Sequence, residues 1–167
     1  MTPNEVHGEV VRWVASVTGL KTIKADQSGP RPAKPYIMVN LTNDVEVREH
    51  HITTDYVDTG DLNDQGKAQM EARPVVETEW LFSVHSYGPE PIQQLKPIRT
   101  ISKIHGPHQG IDSSLIVFDA AQINDIPQFV NNAWEPRAIM RLSIRGLVRD
   151  GFLIDVIDQA PFTVNRS

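Results

Sequence analysis

The sequence predicts an α+β fold: a mainly antiparallel sheet with two helices packed on one face. Apolar residues recur at helical spacing in two windows, residues 4–18 and 90–104. Period-two runs that suit half-buried strands occupy residues 36–41, 75–85 and 134–148. The order along the chain is helix, two strands, a long loop, a strand, a helix, then three or more strands. Strands grouped in this way favour an antiparallel sheet, and one of its faces supplies the apolar surface that both helices need.

The first helix places Val6, Val10, Trp13, Val14 and Val17 on one side, with Asn4 as the expected N-cap and Gly19 just past the last turn. Valine is a middling helix former, so this helix depends on docking its apolar stripe. Residues 20–24 suit a short extended piece. A proline-rich arm follows at 25–35, where Pro30, Pro32 and Pro35 each fix their own φ and push the preceding residue toward extended backbone. The arm is stiff and donates few hydrogen bonds. It is either an ordinary connector or a strip that serves a contact.

Tyr36-Ile37-Met38-Val39-Asn40-Leu41 reads as a strand, Asn43-Asp44 as a turn, and residues 45–56 as the second strand of a hairpin. Residues 57–74 read as a long polar loop, without apolar period from 58 to 69. In the strand at 75–85, Trp80, Phe82 and Val84 share one face, and Glu77, Glu79, Leu81 and Ser83 share the other. Tyr87-Gly88-Pro89 ends it. The second helix aligns Ile92, Leu95, Ile98, Ile101 and Ile104; Pro89 and Pro91 suit its first turn, Pro97 predicts a kink or a late start, and Gly106-Pro107 ends it.

Residues 115–121 form a strand broken by Asn124-Asp125 and Pro127; Phe129-Val130 is short and Asn131-Asn132 turns. The run at 134–148 puts Ala138, Met140, Leu142, Ile144 and Val148 on one face and Arg137, Arg141 and Arg145 on the other. Asp150-Gly151 predicts a tight turn, with residues 152–157 returning as the partner of that strand and Phe162-Thr163-Val164 near the end.

At 167 residues the chain is expected to be a single domain, 1–167, able to bury roughly two-thirds of its unfolded surface. Its 40% hydrophobic and 22% charged content is ordinary for a soluble globular protein. No apolar run is long enough for a membrane span, and the N-terminus lacks the order of a signal peptide. The sequence holds 0 cysteines, which excludes disulfides, zinc–thiolate sites and thiol nucleophiles. A formal charge of −5 argues against tight sequence-independent binding to nucleic acid, though not against DNA passing nearby.

His50, His51, His105 and His108 raise a metal site, but adjacent strand residues point apart and Gly106-Pro107 breaks any scaffold, so exposed histidines are the better reading. Asp55, Asp58, Asp61 and Asp64 recur every three residues, yet the order of a calcium loop is missing, which leaves a solvated acidic loop. No nucleophile elbow, phosphate loop or dinucleotide fingerprint occurs, so neither an enzyme nor a cofactor is expected. The row Arg137, Arg141, Arg145 and Arg149 either pairs across the sheet with Glu77 and Glu79 or meets an acidic neighbouring subunit or DNA phosphates, with a subunit favoured over DNA by the net charge.

Several segments together resemble a known family. They are Thr18-Gly19-Leu20, then Ala25-Asp26-Gln27-Ser28-Gly29-Pro30-Arg31-Pro32, Lys34-Pro35-Tyr36, the strand Trp80-Leu81-Phe82-Ser83-Val84-His85-Ser86-Tyr87-Gly88, and Trp134-Glu135-Pro136-Arg137-Ala138. Over residues 4–156 the chain resembles the neck or tail terminator (tail completion) proteins of tailed bacteriophages. The resemblance implies a tail-terminator-like domain and a structural role in the virion, assembled in the host cytoplasm. Such proteins form a hexameric ring on the head-proximal end of the tail tube, stop its polymerisation and present a surface to the head connector or stopper. The sheath protein is a further partner where the tail is contractile, and DNA passes through the lumen without specific binding. No membrane, enzyme activity or cofactor is implied.

A ring protomer uses different surfaces for its two neighbours, and a rigid arm has little ordering entropy left to lose on docking. Gln27, Gly29, Pro30, Arg31, Pro32, Pro35, Tyr36, Asp61, Asp64, Arg137, Arg141 and Arg145 are therefore expected at subunit or tube contacts. The competing readings are a head–tail adaptor, stopper or tube subunit of the same neck, a small metal-binding domain or enzyme built on the histidines and acidic loop, and a monomeric binding module.

Overall fold

The computed structural model describes residues 1–25, 28–64, 66–104 and 110–155, the last by its backbone alone. Gln27, the Gly106-Pro107 helix stop with His105 and His108, and everything from residue 156, Phe162-Thr163-Val164 included, lie outside the described residues. In chain order the elements are α1 (Pro3–Thr18), β1 (Lys21–Lys24), β2 (Tyr36–Glu46), β3 (Thr53–Leu62), β4 (Ala68–Tyr87), α2 (Pro91–Ile101), β5 (Leu115–Asp125), β6 (Gln128–Val130), β7 (Ala133–Glu135), β8 (Arg137–Arg149) and β9 (Phe152–Asp155). The chain divides into two compact units: Met1–Val47 with Glu77–Leu147, and Arg48–Val76 with the residues from Val148 on. The fold is α+β with a mostly antiparallel sheet, as the periodicities predict.

In the first unit the strand order is β1-β2-β4-β8-β5. β1 runs parallel to β2, while β2 is antiparallel to β4 and β5 antiparallel to β8. β8 is antiparallel to β4 as well, because its contacts step backward along it, from Arg137 at His85 to Arg145 at Glu77. α1 packs on β1, β2 and α2, and α2 packs on β5. Between helices and sheet, Val6, Val10, Trp13, Val14, Trp80, Phe82, Val84, Leu95, Ile98, Ala138, Met140, Leu142 and Ile144 are buried. These are the positions that helical and two-residue spacing single out. Gly146 shares that face because a Cβ there would stand 2.9 Å from Leu115 Cδ2 and 3.1 Å from Trp80 Cζ3.

Several boundaries differ from the sequence expectation, each for a physical reason. The N-cap of α1 is Thr2, not Asn4: Thr2 Oγ1 accepts from the Glu5 N–H at 3.3 Å and Glu5 Oε2 accepts from the Thr2 N–H at 2.7 Å. That capping box puts Pro3 in the first turn, where its missing N–H costs nothing. Gly19 closes the helix at φ 68°, as expected. Asn43-Asp44 does not turn. β2 runs on to Glu46 with a register shift between Leu41 and Asn43, so a bulge at Thr42 takes up the irregularity while Asn43 and Asp44 stay in the ladder opposite Leu81 and Trp80. β2 and β3 are consequently not a hairpin; both pair with β4. α2 does not start late; it runs from Pro91 through Pro97 and ends with the Ser102 N–H on the Ile98 carbonyl at 3.1 Å. The run at 134–148 is split at Pro136 into β7 and β8. Asn131 and Asn132 do turn, at φ 50° and 62°, joining β6 to β7.

The second unit holds the largest corrections. The expected loop at 57–74 is mostly strand: β3 reaches Leu62, β4 begins at Ala68, and only residues 63–67 connect them. Its period was invisible because nearly every β3 residue is exposed or half-exposed, so no apolar face had to alternate. Asp150-Gly151 interrupts the chain without reversing it. β9 pairs with β4, Phe152 opposite Ala72 and Asp155 opposite Gln69, not with β8. The start of β4 offers an open ladder there, and a return along β8 would have left it unpaired. No helix among the described residues is long and apolar enough to cross a membrane.

Candidate functional site

Three of the segments that carry the family resemblance meet in the first unit: the root of the proline arm, the end of β4, and the β7–β8 junction. Two-residue spacing along β4 sends Ser83, His85 and Tyr87 to the sheet face opposite the helices, and the β2 register sets Tyr36 beside Tyr87. Their rings stack with centroids 4.8 Å apart. The Arg137 guanidinium lies over Tyr87 at 5.0 Å and donates to His85 Nδ1 at 2.8 Å and to Gln128 Oε1 at 3.1 Å. Lys34 Nζ pairs with Glu135 Oε1 at 2.7 Å, and that bond holds the Glu135 carboxyl below the usual carboxylate range. Burial, then Tyr87, pushes the Tyr36 phenol upward.

Gly88 is the hinge of the cluster. Its φ is 127°, its N–H donates to the Pro136 carbonyl at 3.4 Å, and a Cβ on it would sit 3.1 Å from Cα and Cβ of Pro35. Ser86 donates to Gln94 of α2, which ties the same corner to the helix. The Lys34–Pro35 peptide is cis. Beyond this root the arm is exposed at Ser28, Gly29, Pro30 and Arg31. Gly29, Pro30, Arg31 and Pro32 border a groove of about 370 Å³ with Lys21, Ile23 and Tyr36.

His85 is 9% exposed. Since Arg137 donates to Nδ1, the ring proton is on Nε2 and points to Ser83 Oγ, 2.7 Å away. Burial first, and the Arg137 charge second, lower its pKa from 6.5 to about 4. The folded state then binds fewer protons than the unfolded chain between these two values. Stability should therefore fall as pH drops from about 6.5 toward about 4. Urea titrations across that range check this, and His85→Gln should flatten the slope.

The arginine row divides. Arg145 takes the intramolecular reading: its Nε donates to Glu79 Oε2 at 3.0 Å, Nη1 lies 3.7 Å from Glu77, and its guanidinium covers Phe118 at 3.4 Å. Ser143 adds a 2.6 Å bond to Glu79. Arg149 pairs with Asp55 at 3.1 Å in the second unit. Arg137 belongs to the arm-root cluster. Arg141 is exposed and has no partner among the described residues.

Asp61 and Asp64 are exposed residues of the second unit. Asp58 accepts from the Gly60 N–H at 2.9 Å and so shapes a local turn. His50 and His51 are exposed in the connection before β3, where the sequence predicts a strand. Among the described residues no group of three or more His, Asp or Glu is placed to hold a metal. His85, Gln128 and the hinge role of Gly88 were not foreseen. Strand alternation placed His85 on the face of Arg137, but their contact spans 52 residues. The β6–β7 hairpin also exposes Phe129 and Trp134, the latter 69% accessible, as a tilted pair 5.3 Å apart.

The arrangement is one of an ion pair, stacked rings and a cation over an aromatic face around the root of the arm. A family model of phage neck terminator proteins matches residues 4–167, nearly the whole chain. The chain belongs to the phage neck terminator protein family, and with it to the components of the virion that contact other head and tail proteins. Comparison with curated proteins gives no match.

Proposed function

We propose that the chain forms a hexameric ring at the head-proximal end of the tail tube, ends tube polymerisation there, and offers its other face to the head connector or stopper. The sheath protein joins these partners where the tail is contractile. DNA crosses the lumen without specific binding, the ring assembles in the host cytoplasm, and the protein catalyses nothing and takes no cofactor.

The observation that carries this reading, beside the family, is the arm. Its root is fixed by Lys34–Glu135, Tyr36–Tyr87 and the Gly88–Pro35 approach, while its tip from Ser28 to Arg31 is exposed. The other end is tied as well, by the Ala25 N–H on the Val39 carbonyl at 2.8 Å, and a stiff exposed loop held between two anchors is suited to meeting a neighbour. Gln27, Gly29, Pro30, Arg31 and Pro32 are assigned to that contact. The two ends of the sheet order, β1 and β5, are different surfaces, as a head-to-tail ring requires. β5 exposes Ile116 and Phe118 at such an end.

Replacing Pro30 and Pro32 together by Gly should weaken assembly about tenfold, through the chain entropy each proline removes, and leave the protomer folded with at most a small fall in its thermal midpoint. Native mass spectrometry, with and without purified neckless tails, reads the assembly. Unchanged assembly of the double variant would remove the arm from the contact.

A further inference from the structure

The outer sheet face carries a groove of about 610 Å³ that crosses β2, β4, β8 and β5. Asn43, Leu81, Ser83, Gln122, Asn124 and Arg141 line it. Arg141 is the charged residue in the lining, and it has no partner among the described residues. Its neighbour in the row, Arg145, is neutralised by Glu77 and Glu79, so the pairing that satisfies one end of the face stops short of the groove. The groove therefore presents one cation, amide groups and the apolar side chains of Leu81 and Ile139. That set fits a carboxylate-bearing strand or turn with an apolar residue beside the acid.

The chain itself supplies such an element. The β3–β4 hairpin exposes Asp58, Asp61 and Asp64 together with Leu62, which is 65% accessible, and Tyr56 at 61%. Of these acids Asp58 is engaged by Gly60, while Asp61 and Asp64 have no ion pair among the described residues. Acidic groups and uncovered apolar side chains on one hairpin are the complement of the groove. We infer that the hairpin around Asp61 and Asp64 of one copy seats in the Arg141 groove of the next, with Leu62 against Leu81 and Ile139. This rests on the ring proposed above and names the contact that links its protomers. It also accounts for Asp61, Asp64 and Arg141 with one interface.

The absence of cysteine makes the test readable, since introduced thiols are the only ones in this chain. Virions carrying Asp61→Cys with Gln122→Cys are treated with a short bis-maleimide, and in parallel virions carrying the unaltered chain are treated with a lysine-directed cross-linker. The expected result is a ladder of chain multimers with the thiol reagent, ending at the ring number, and at most dimers from either single-cysteine variant. In solution Arg141→Asp should weaken assembly by at least about tenfold, the low end for losing a close interfacial charge pair, and adding Asp61→Arg with Asp64→Arg should restore it. Circular dichroism confirms that each variant is folded. A lysine ladder without a thiol ladder overturns this contact and leaves the ring standing. A thiol product joined to a different virion protein overturns it too, because the groove then receives another partner. Absence of both ladders removes the ring and this contact together.

Discussion

Trp80→Ala should destabilise the first unit by about 3–5 kcal/mol, the range for emptying a large aromatic site in a packed core. Trp80 is 1% exposed and stands at the centre of β4 between the helices and the sheet. Its indole meets the bare backbone of Gly146, where a Cβ would come within 3.1 Å, so a glycine at that position admits it. The indole Nε1 has no hydrogen-bond partner among the described residues, so truncation orphans no polar group. The loss is packing and cavity alone, and the glycine opposite has no side chain with which to fill the space. Urea unfolding followed by far-ultraviolet circular dichroism measures it. A loss below about 1 kcal/mol would mean that β4 and β8 are not packed as described.

Gly88→Ala should cost about 1–3 kcal/mol from backbone strain alone, because φ 127° is open essentially to glycine. The added methyl would also press on Pro35 Cα and Cβ at 3.1 Å, and a backbone atom cannot swing aside as a flexible side chain does. The arm root should loosen as a result. Hydrogen exchange at Tyr36, Ile37 and Met38 should rise by tenfold or more, while exchange in α1 changes little. Because Gly88 touches the arm root, this variant should also lose assembly in proportion to that loosening. Unchanged exchange at Tyr36 would show that Gly88 does not hold the arm.

What was legible in the sequence is what burial on one side imposes. Val6, Val10, Trp13 and Val14 announce a helix face, and Trp80, Phe82 and Val84 a strand face, because water is excluded from one side only. The pairing of Arg145 with Glu79 was legible for the same reason: alternation puts both on the outer face. The β3–β4 hairpin was not legible, since Thr53–Leu62 has no buried face to set a period. The partner of β9 was not legible either. Asp150-Gly151 suits a hairpin turn locally, and the open β4 ladder that claims the strand lies some eighty residues earlier, from Gln69 to Ala72. The arm-root cluster was half visible. Its three segments carried the family resemblance one by one, but the contacts of Lys34 with Glu135 and of His85 with Arg137 are products of the folded topology.

The proposed role requires a single placement, a ring of this chain where the tail tube meets the head. Imaging virions with the chain labelled at an exposed site, His50 for example, measures it at low resolution. The account predicts one collar of label, about six copies, immediately beneath the head. Label spread along the tail, or a solitary copy per particle, would contradict it.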